Sequence, residues 1–342
     1  MKNLKPILFS VALCAAAFLT SCTPTEETIP AVIAGNNVLV NTGNLKLFVI
    51  DTAKVNTITM TGTNETTILN RKVNSNSYIG GLSLNNDASK FVYVDNQGSM
   101  VNGGYVGVSS IRTANANGTS DASIYIAPAN TTSVNTSIGF VKYGASKIYF
   151  TTTTQTVNGP TVNTITKLNA ANFDGTNLVQ SNYTGSPLSV FKGDITSDGK
   201  YLCQFQSAPN LPKFLIIDRT GDSGAGTVVF QENINSNQEA GSGAVFSYDD
   251  KFAYFAFAEN QELKVRILDM TTRTAATKTI TTNFTPTSFF ITISVASDNN
   301  RGVVVVDSYN NLPTKSYVFN LATGTSTVFN NNDKTVDYVK AF

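Results

Sequence analysis

A polar turn followed at once by an apolar strand recurs along the chain. It reads NNDASKFVYV ending at Val94, KYGASKIYF at Phe150, TSDGKYLCQF at Phe205, SYDDKFAYFAF at Phe257 and SDNNRGVVVV at Val306, with a truncated first copy, GNNVLV, at residues 35–40. The residues that open these strands are Asn37, Lys90, Lys147, Lys200, Lys251 and Arg301, at intervals of 53, 57, 53, 51 and 50. The strand is apolar at successive positions, as in Phe252-Ala253-Tyr254-Phe255, so both of its faces are predicted to be buried. A sheet with one solvated face would alternate instead.

A second phrase keeps the same beat. It reads LKLFVIDTA (45–53), YVGVSSIRTA (105–114), TITKLNAA (164–171), KFLIIDRT (213–220), LKVRILDMT (263–271) and SYVFNLATG (316–324). In the third unit a strand a near 137–143, a strand b ending at Phe150, a strand c near 163–168 and a strand d near 177–181 can all be placed. Glycines gather in strand a (Gly80, Gly81, Gly139, Gly193, Gly241 and Gly243), as expected where backbones crowd around an axis. Six units of about 52 residues, each of four antiparallel strands, predict an all-β chain forming a single β-propeller. A seventh blade is the alternative if the longer early intervals conceal one. The segment TVDYVKAF (335–342) resembles an inner strand and is expected to close the ring against the N-terminal blade.

The recurring Asp, Asn and Gly before strand b suit the positive φ of tight hairpins, and the adjacent Lys or Arg keeps the turn solvated. These residues are therefore read as turn chemistry and not as a catalytic or metal set. Turns of the form S-x-D-G-K-x-apolar resemble those of the Tol-system propeller and related repeats, over residues 31–342. That resemblance implies architecture and leaves the ligand open.

The N-terminus carries an address. Lys2 and Lys5 precede an apolar stretch, Ile7 to Leu19, too short to span a bilayer. Leu19-Thr20-Ser21-Cys22 then resembles the lipobox of bacterial lipoproteins. The division expected is a signal peptide at 1–21, a lipidated tether at 22–30 and the propeller at 31–342. By the same resemblance Cys22 is the lipid-attachment residue, carrying palmitate-like chains that hold the protein on a membrane without spanning it. By resemblance to lipoprotein sorting, Thr23 after the cysteine favours the outer membrane, and Glu26 and Glu27 suggest surface export. The protein is thus expected to face the periplasm or the cell surface.

Charge and composition exclude several functions. Of 24 basic residues, Lys2 and Lys5 leave with the signal, so 22 stand against 23 acidic ones. No basic footprint for nucleic acid results. The chain has no histidine, which removes Ser-His-Asp and Cys-His activation and histidine metal sites. Of three cysteines, Cys14 is cleaved off and Cys22 lipidated, leaving Cys203 at a core position of strand b, without a disulfide partner. No catalytic residues, metal site or cofactor are assigned.

Propellers usually bind at one mouth, on the d–a and b–c loops. Here those loops are rich in amides, and their cations and aromatics, Arg71, Lys72, Tyr78, Tyr183, Phe284 and Tyr309, are the candidate ligand contacts. Aromatics with amides suit a glycan, and aromatics with Arg or Lys suit a catecholate siderophore. The function expected is a non-catalytic, membrane-anchored binding module of the cell envelope, accessory to an outer-membrane transporter. The alternative is a protein–protein scaffold without a small ligand, and a hydrolase or lyase ranks third.

Overall fold

The computed structural model describes residues 45–59, 64–101, 104–131, 133–182, 193–206, 213–220, 226–233, 238–282, 284, 289–308, 315–330 and 335–341. Cys22, Tyr183, Tyr309 and the segment 35–40 lie outside them. Among the described residues the secondary structure is all strand, 24 strands in six four-stranded antiparallel sheets. These are the six blades.

Blade 1 holds β1 (Leu45–Asp51), β2 (Lys54–Thr59) and β3 (Thr66–Asn70), completed by β24 (Thr335–Ala341). Blade 2 holds β4 (Tyr78–Leu84), β5 (Lys90–Val101), β6 (Gly104–Asn115) and β7 (Ala122–Ile126). Blade 3 holds β8 (Val134–Tyr143), β9 (Ile148–Asn158), β10 (Thr161–Ala171) and β11 (Val179–Asn182). Blade 4 holds β12 (Gly193–Ile195), β13 (Tyr201–Gln206), β14 (Lys213–Asp218) and β15 (Thr227–Asn233). Blade 5 holds β16 (Gln238–Phe246), β17 (Phe252–Glu259), β18 (Glu262–Asp269) and β19 (Ala275–Thr282). Blade 6 holds β20 (Phe289–Val295), β21 (Arg301–Ser308), β22 (Lys315–Asn320) and β23 (Thr325–Asn330).

The strand expected to close the ring does so. β24 runs antiparallel to β1, with Leu45 opposite Ala341 and Ile50 opposite Thr335. It also touches β4 and β20, the inner strands of the two flanking blades. Two expectations are corrected. The phrase LKLFVIDTA, placed as a third strand, supplies the second strand of its blade, because β24 supplies the first; the segment 35–40, read as a truncated first copy, lies outside the described residues. Second and third strands are both apolar, so the pattern could not separate them. The longer early intervals conceal no seventh blade; they lengthen hairpins, since β5 and β6 have 12 residues each and β9 and β10 have 11.

The core is divided among the blade interfaces. Phe48, Ile50 and Val55 of blade 1 pack with Leu82, Phe91 and Tyr93 of blade 2, and Leu47 and Val49 pack with Val303 and Val305 of blade 6. Between blades 4 and 5, Phe205 and Phe214 stack on Phe255, with centroids 5.4 and 5.1 Å away. A side chain facing each neighbour explains why strand b is apolar at successive positions, as in β17, where seven of eight residues are buried. Full burial of each large apolar side chain is worth about 1.5–3 kcal/mol. Close approach also fixes the blades: Gly118, at φ 83°, sits so near β3 that a Cβ would lie 1.7 Å from the carbonyl oxygen of Ile68. Only glycine fits that contact.

The a–b turns use their repeated aspartates as expected of hairpin chemistry. Asp87, Asp198 and Asp249 accept the N–H two residues on, at 2.9, 2.9 and 3.3 Å, and Asp298 accepts from Asn300 at 3.0 Å. The next residue, Ala88, Gly199, Asp250 or Asn299, takes positive φ. Lys90, Lys200 and Lys251 are exposed, but Arg301 is not: it folds back onto Asp298 at 2.6 Å and is buried. Its turn carboxylate supplies the partner that solvent was expected to supply.

Cys203 is fully buried between blades 4 and 5, and burial pushes its thiol well above the usual range. It is expected to stay unreactive toward Ellman's reagent in the native protein and to titrate once guanidinium unfolds it. Rapid native labelling would refute this burial.

Candidate functional site

The antiparallel order puts the b–c turns and d–a connections at one mouth of the propeller and the a–b and c–d turns at the other. At the loop mouth, blades 2 and 3 extend beyond the rest. The β5–β6 pair runs unbroken from Lys90 opposite Asn115 to Val101 opposite Gly104, and β9–β10 from Ile148 opposite Ala171 to Asn158 opposite Thr161. In blade 3 the distal half is exposed, including Val157, Val162 and Ile165. Neither projection carries charge: residues 96–111 and 151–166 contain no Asp, Glu, Lys or Arg.

The candidate loop residues fall into three groups. Lys72 and Tyr78 are exposed at this mouth. Phe284 is buried, edge-on to Tyr317 at 6.0 Å, and so supports the mouth from beneath. Arg71 is engaged within the protein: Nε and Nη2 donate to Asp95 Oδ2 at 3.2 and 2.8 Å, and Nη1 to Asp121 Oδ2 at 3.3 Å. Asp121 also accepts from Arg112 at 2.9 Å and from the Tyr93 hydroxyl at 2.7 Å. Burial opposes ionisation of Asp121, but these donors outweigh it and hold the carboxyl below its usual range. Burial, then Asp121, pushes the Tyr93 hydroxyl up. The network bridges blades 1 and 2.

The turn mouth holds a pocket that the sequence reading did not single out. It has a volume of about 450 Å³ with its open mouth included, and residues of blades 2 to 6 line it. Lys142 Nζ pairs with Asp194 Oδ2 at 2.8 Å. Asp194 also accepts the N–H of Ile195 at 2.9 Å and of Phe246 at 3.0 Å. Asp250 accepts from the Ser197 N–H at 2.9 Å and its hydroxyl at 2.5 Å. Burial pushes the Asp250 carboxyl up, against these two hydrogen bonds. Burial, with Asp194 nearby, raises the Tyr248 hydroxyl.

A sequence signal for this pocket existed. Ser83, Lys142, Asp194, Val245 and Ser294 are each the penultimate residue of their inner strand, so successive repeats bring them together around the axis. Lys142 and Asp194, 52 residues apart, are opposite charges at one phase of the repeat.

A scan of protein families and a search of curated proteins return no match to the sequence. Solved structures do match in fold. TolB from Acinetobacter baumannii aligns with a TM-score of 0.55 at 14% identity, over 87% of this chain and 66% of that one, just under two thirds of its length. A chain of a nidogen–laminin complex aligns with a TM-score of 0.53 at 13% identity, over 86% of this chain and 97% of that one. At such identity the likeness is one of fold, the β-propeller.

Proposed function

We propose that this chain is a non-catalytic binding module of the cell envelope, anchored to the outer membrane through Cys22 and facing the periplasm or the surface. Its loop mouth engages the partner, with Lys72 and Tyr78 as first contacts and Arg71 and Phe284 in support; Tyr183 and Tyr309, outside the described residues, stay candidate contacts from the sequence. The observation that carries this reading is the pair of uncharged hairpins projecting beside Tyr78. Solvated strand edges ordinarily carry charge against adventitious pairing, so uncharged projections suit a surface that a partner covers. The turn aspartates are occupied in hairpins and Cys203 is buried, which favours binding over catalysis.

Neutral oligosaccharides and ferric catecholate complexes are the probes for a thermal-shift screen. A bound probe should lose at least tenfold in affinity in Tyr78→Ala and in a variant whose residues 154–165 are replaced by an Asn-Gly turn. Binding that survives both changes would place the ligand elsewhere. The same hairpins favour a second reading, a scaffold for an outer-membrane transporter or other envelope protein. A stabilising response to none of these probes, with cross-linking to an envelope protein through residues 151–166, selects it.

The anchor has its own test. Cells fed a labelled fatty acid should incorporate label into the wild-type protein, and Cys22→Ser should remain an unlabelled precursor. Equal labelling of both would remove the lipid from this proposal.

A further inference from the structure

The turn-mouth pocket has an imbalance of charge in its lining. Its lining carries two carboxylates, Asp194 and Asp250, and one ammonium, Lys142. Lys142 makes its ion-pair contact with Asp194, while its charge also reaches Asp250. Asp250 has its two hydrogen bonds from Ser197, and among the described residues no lysine or arginine lies in ion-pair contact with it. The turn itself does not require a carboxylate there. At the matching position blades 2, 4 and 6 use Ala88, Gly199 and Asn299, all left-handed like Asp250 at φ 57°. That conformation favours glycine, asparagine and aspartate, so the turn accepts Asp250, whose carboxylate then belongs to the pocket lining.

The surroundings suit a cation. Ser83, Ser197 and Ser294 line the same space, and so do Tyr143 and Tyr248; a hydroxyl oxygen can accept a hydrogen bond from a cation's N–H. Aromatic rings favour a neighbouring cation. The enclosed part of the pocket has room for a group of about the size of water or ammonium, opening outward to a wider mouth. We propose that the turn-mouth pocket binds the ammonium head of a small organic ligand, which pairs with Asp250 while its tail leaves through the open mouth. This site is separate from the loop mouth, and its test does not depend on what the loop mouth binds.

Calorimetric titration of the full mature protein with n-butylammonium, butanol and butyrate tests it. These probes share one tail and differ in head-group charge. Butylammonium should bind at least tenfold more tightly than butanol, and butyrate should not bind. Asp250→Asn keeps a residue tolerant of the left-handed turn and an acceptor for Ser197, and should remove the preference for the amine. Lys142→Gln releases Asp194 for the ligand and should tighten butylammonium binding severalfold, an effect that misfolding would not produce. Equal affinity for butylammonium and butanol, no binding of any probe at millimolar concentration, or affinities unchanged in both variants would overturn the proposal.

Discussion

A chain lacking Val336–Phe342 is expected to melt about 8 °C or more below the full-length protein. The segment forms most of β24, the inner strand of blade 1, whose register with β1 runs from Leu45–Ala341 to Ile50–Thr335. Its removal breaks that ladder, takes away contacts to β4 and β20, and leaves β1 as an open edge facing the channel. Losing a ladder and its packing together belongs among the severe changes, above about 4 kcal/mol. At about 2 °C per kcal/mol for a chain of this size, that gives the expected shift. Scanning calorimetry measures it directly. A truncated protein melting with the wild type would mean that the ring stands without this strand.

Arg71→Ala is expected to cost about 2–3 kcal/mol of stability, whatever its effect on binding. The Asp95 side chain is 2% exposed and that of Arg71 26%, so truncating the arginine strands a buried carboxylate. Removing one partner of a buried pair costs about 3–5 kcal/mol, and the partial exposure of Arg71 puts this pair at or below the lower end. Gln97 remains on Asp95 Oδ1 at 2.7 Å and offsets part of the loss. Urea unfolding of Arg71→Ala, Asp95→Asn and the double variant would show coupling, and additive single effects would deny it. The linked Asp121 adds a pH dependence. Its carboxyl lies lower folded than unfolded, so its contribution is full above the unfolded value and fades as the pH falls below about 4 toward the folded one. Substitutions at Lys72 or Tyr78 therefore probe ligand binding more cleanly than one at Arg71.

The blades were legible in the sequence because the repeats announce themselves locally, through a polar turn that carries Asp in blades 2, 4, 5 and 6, and through a strand apolar on both faces. Closure was legible for the same reason: residues 335–342 have the pattern of an inner strand without its own partner. Blade 1 was misplaced by one strand because its first and second strands come from distant parts of the chain, so no turn marks the junction. The site was harder to read. Arg71 finds Asp95 and Asp121 at separations of 24 and 50 residues, which no local pattern encodes, and so it looked available for a ligand. Lys142 and Asp194 could have been paired from sequence, by comparing equal phases of adjacent repeats instead of residue types within one loop.

The seam in blade 1 has a topological consequence. With Leu45 opposite Ala341, the end of β24 and the start of β1 stand where every other blade has a covalent a–b hairpin. In a chain cut to begin at Leu45, a short Asp-Gly-containing linker between them would restore the missing turn and close the backbone on itself. New termini could then be cut at the exposed Gly159 tip between β9 and β10, where no neighbouring atom lies within 4 Å of a Cβ added there. Such a circular permutant would carry its ends on the loop mouth, and the order of the blades along the gene would no longer be tied to their order around the ring.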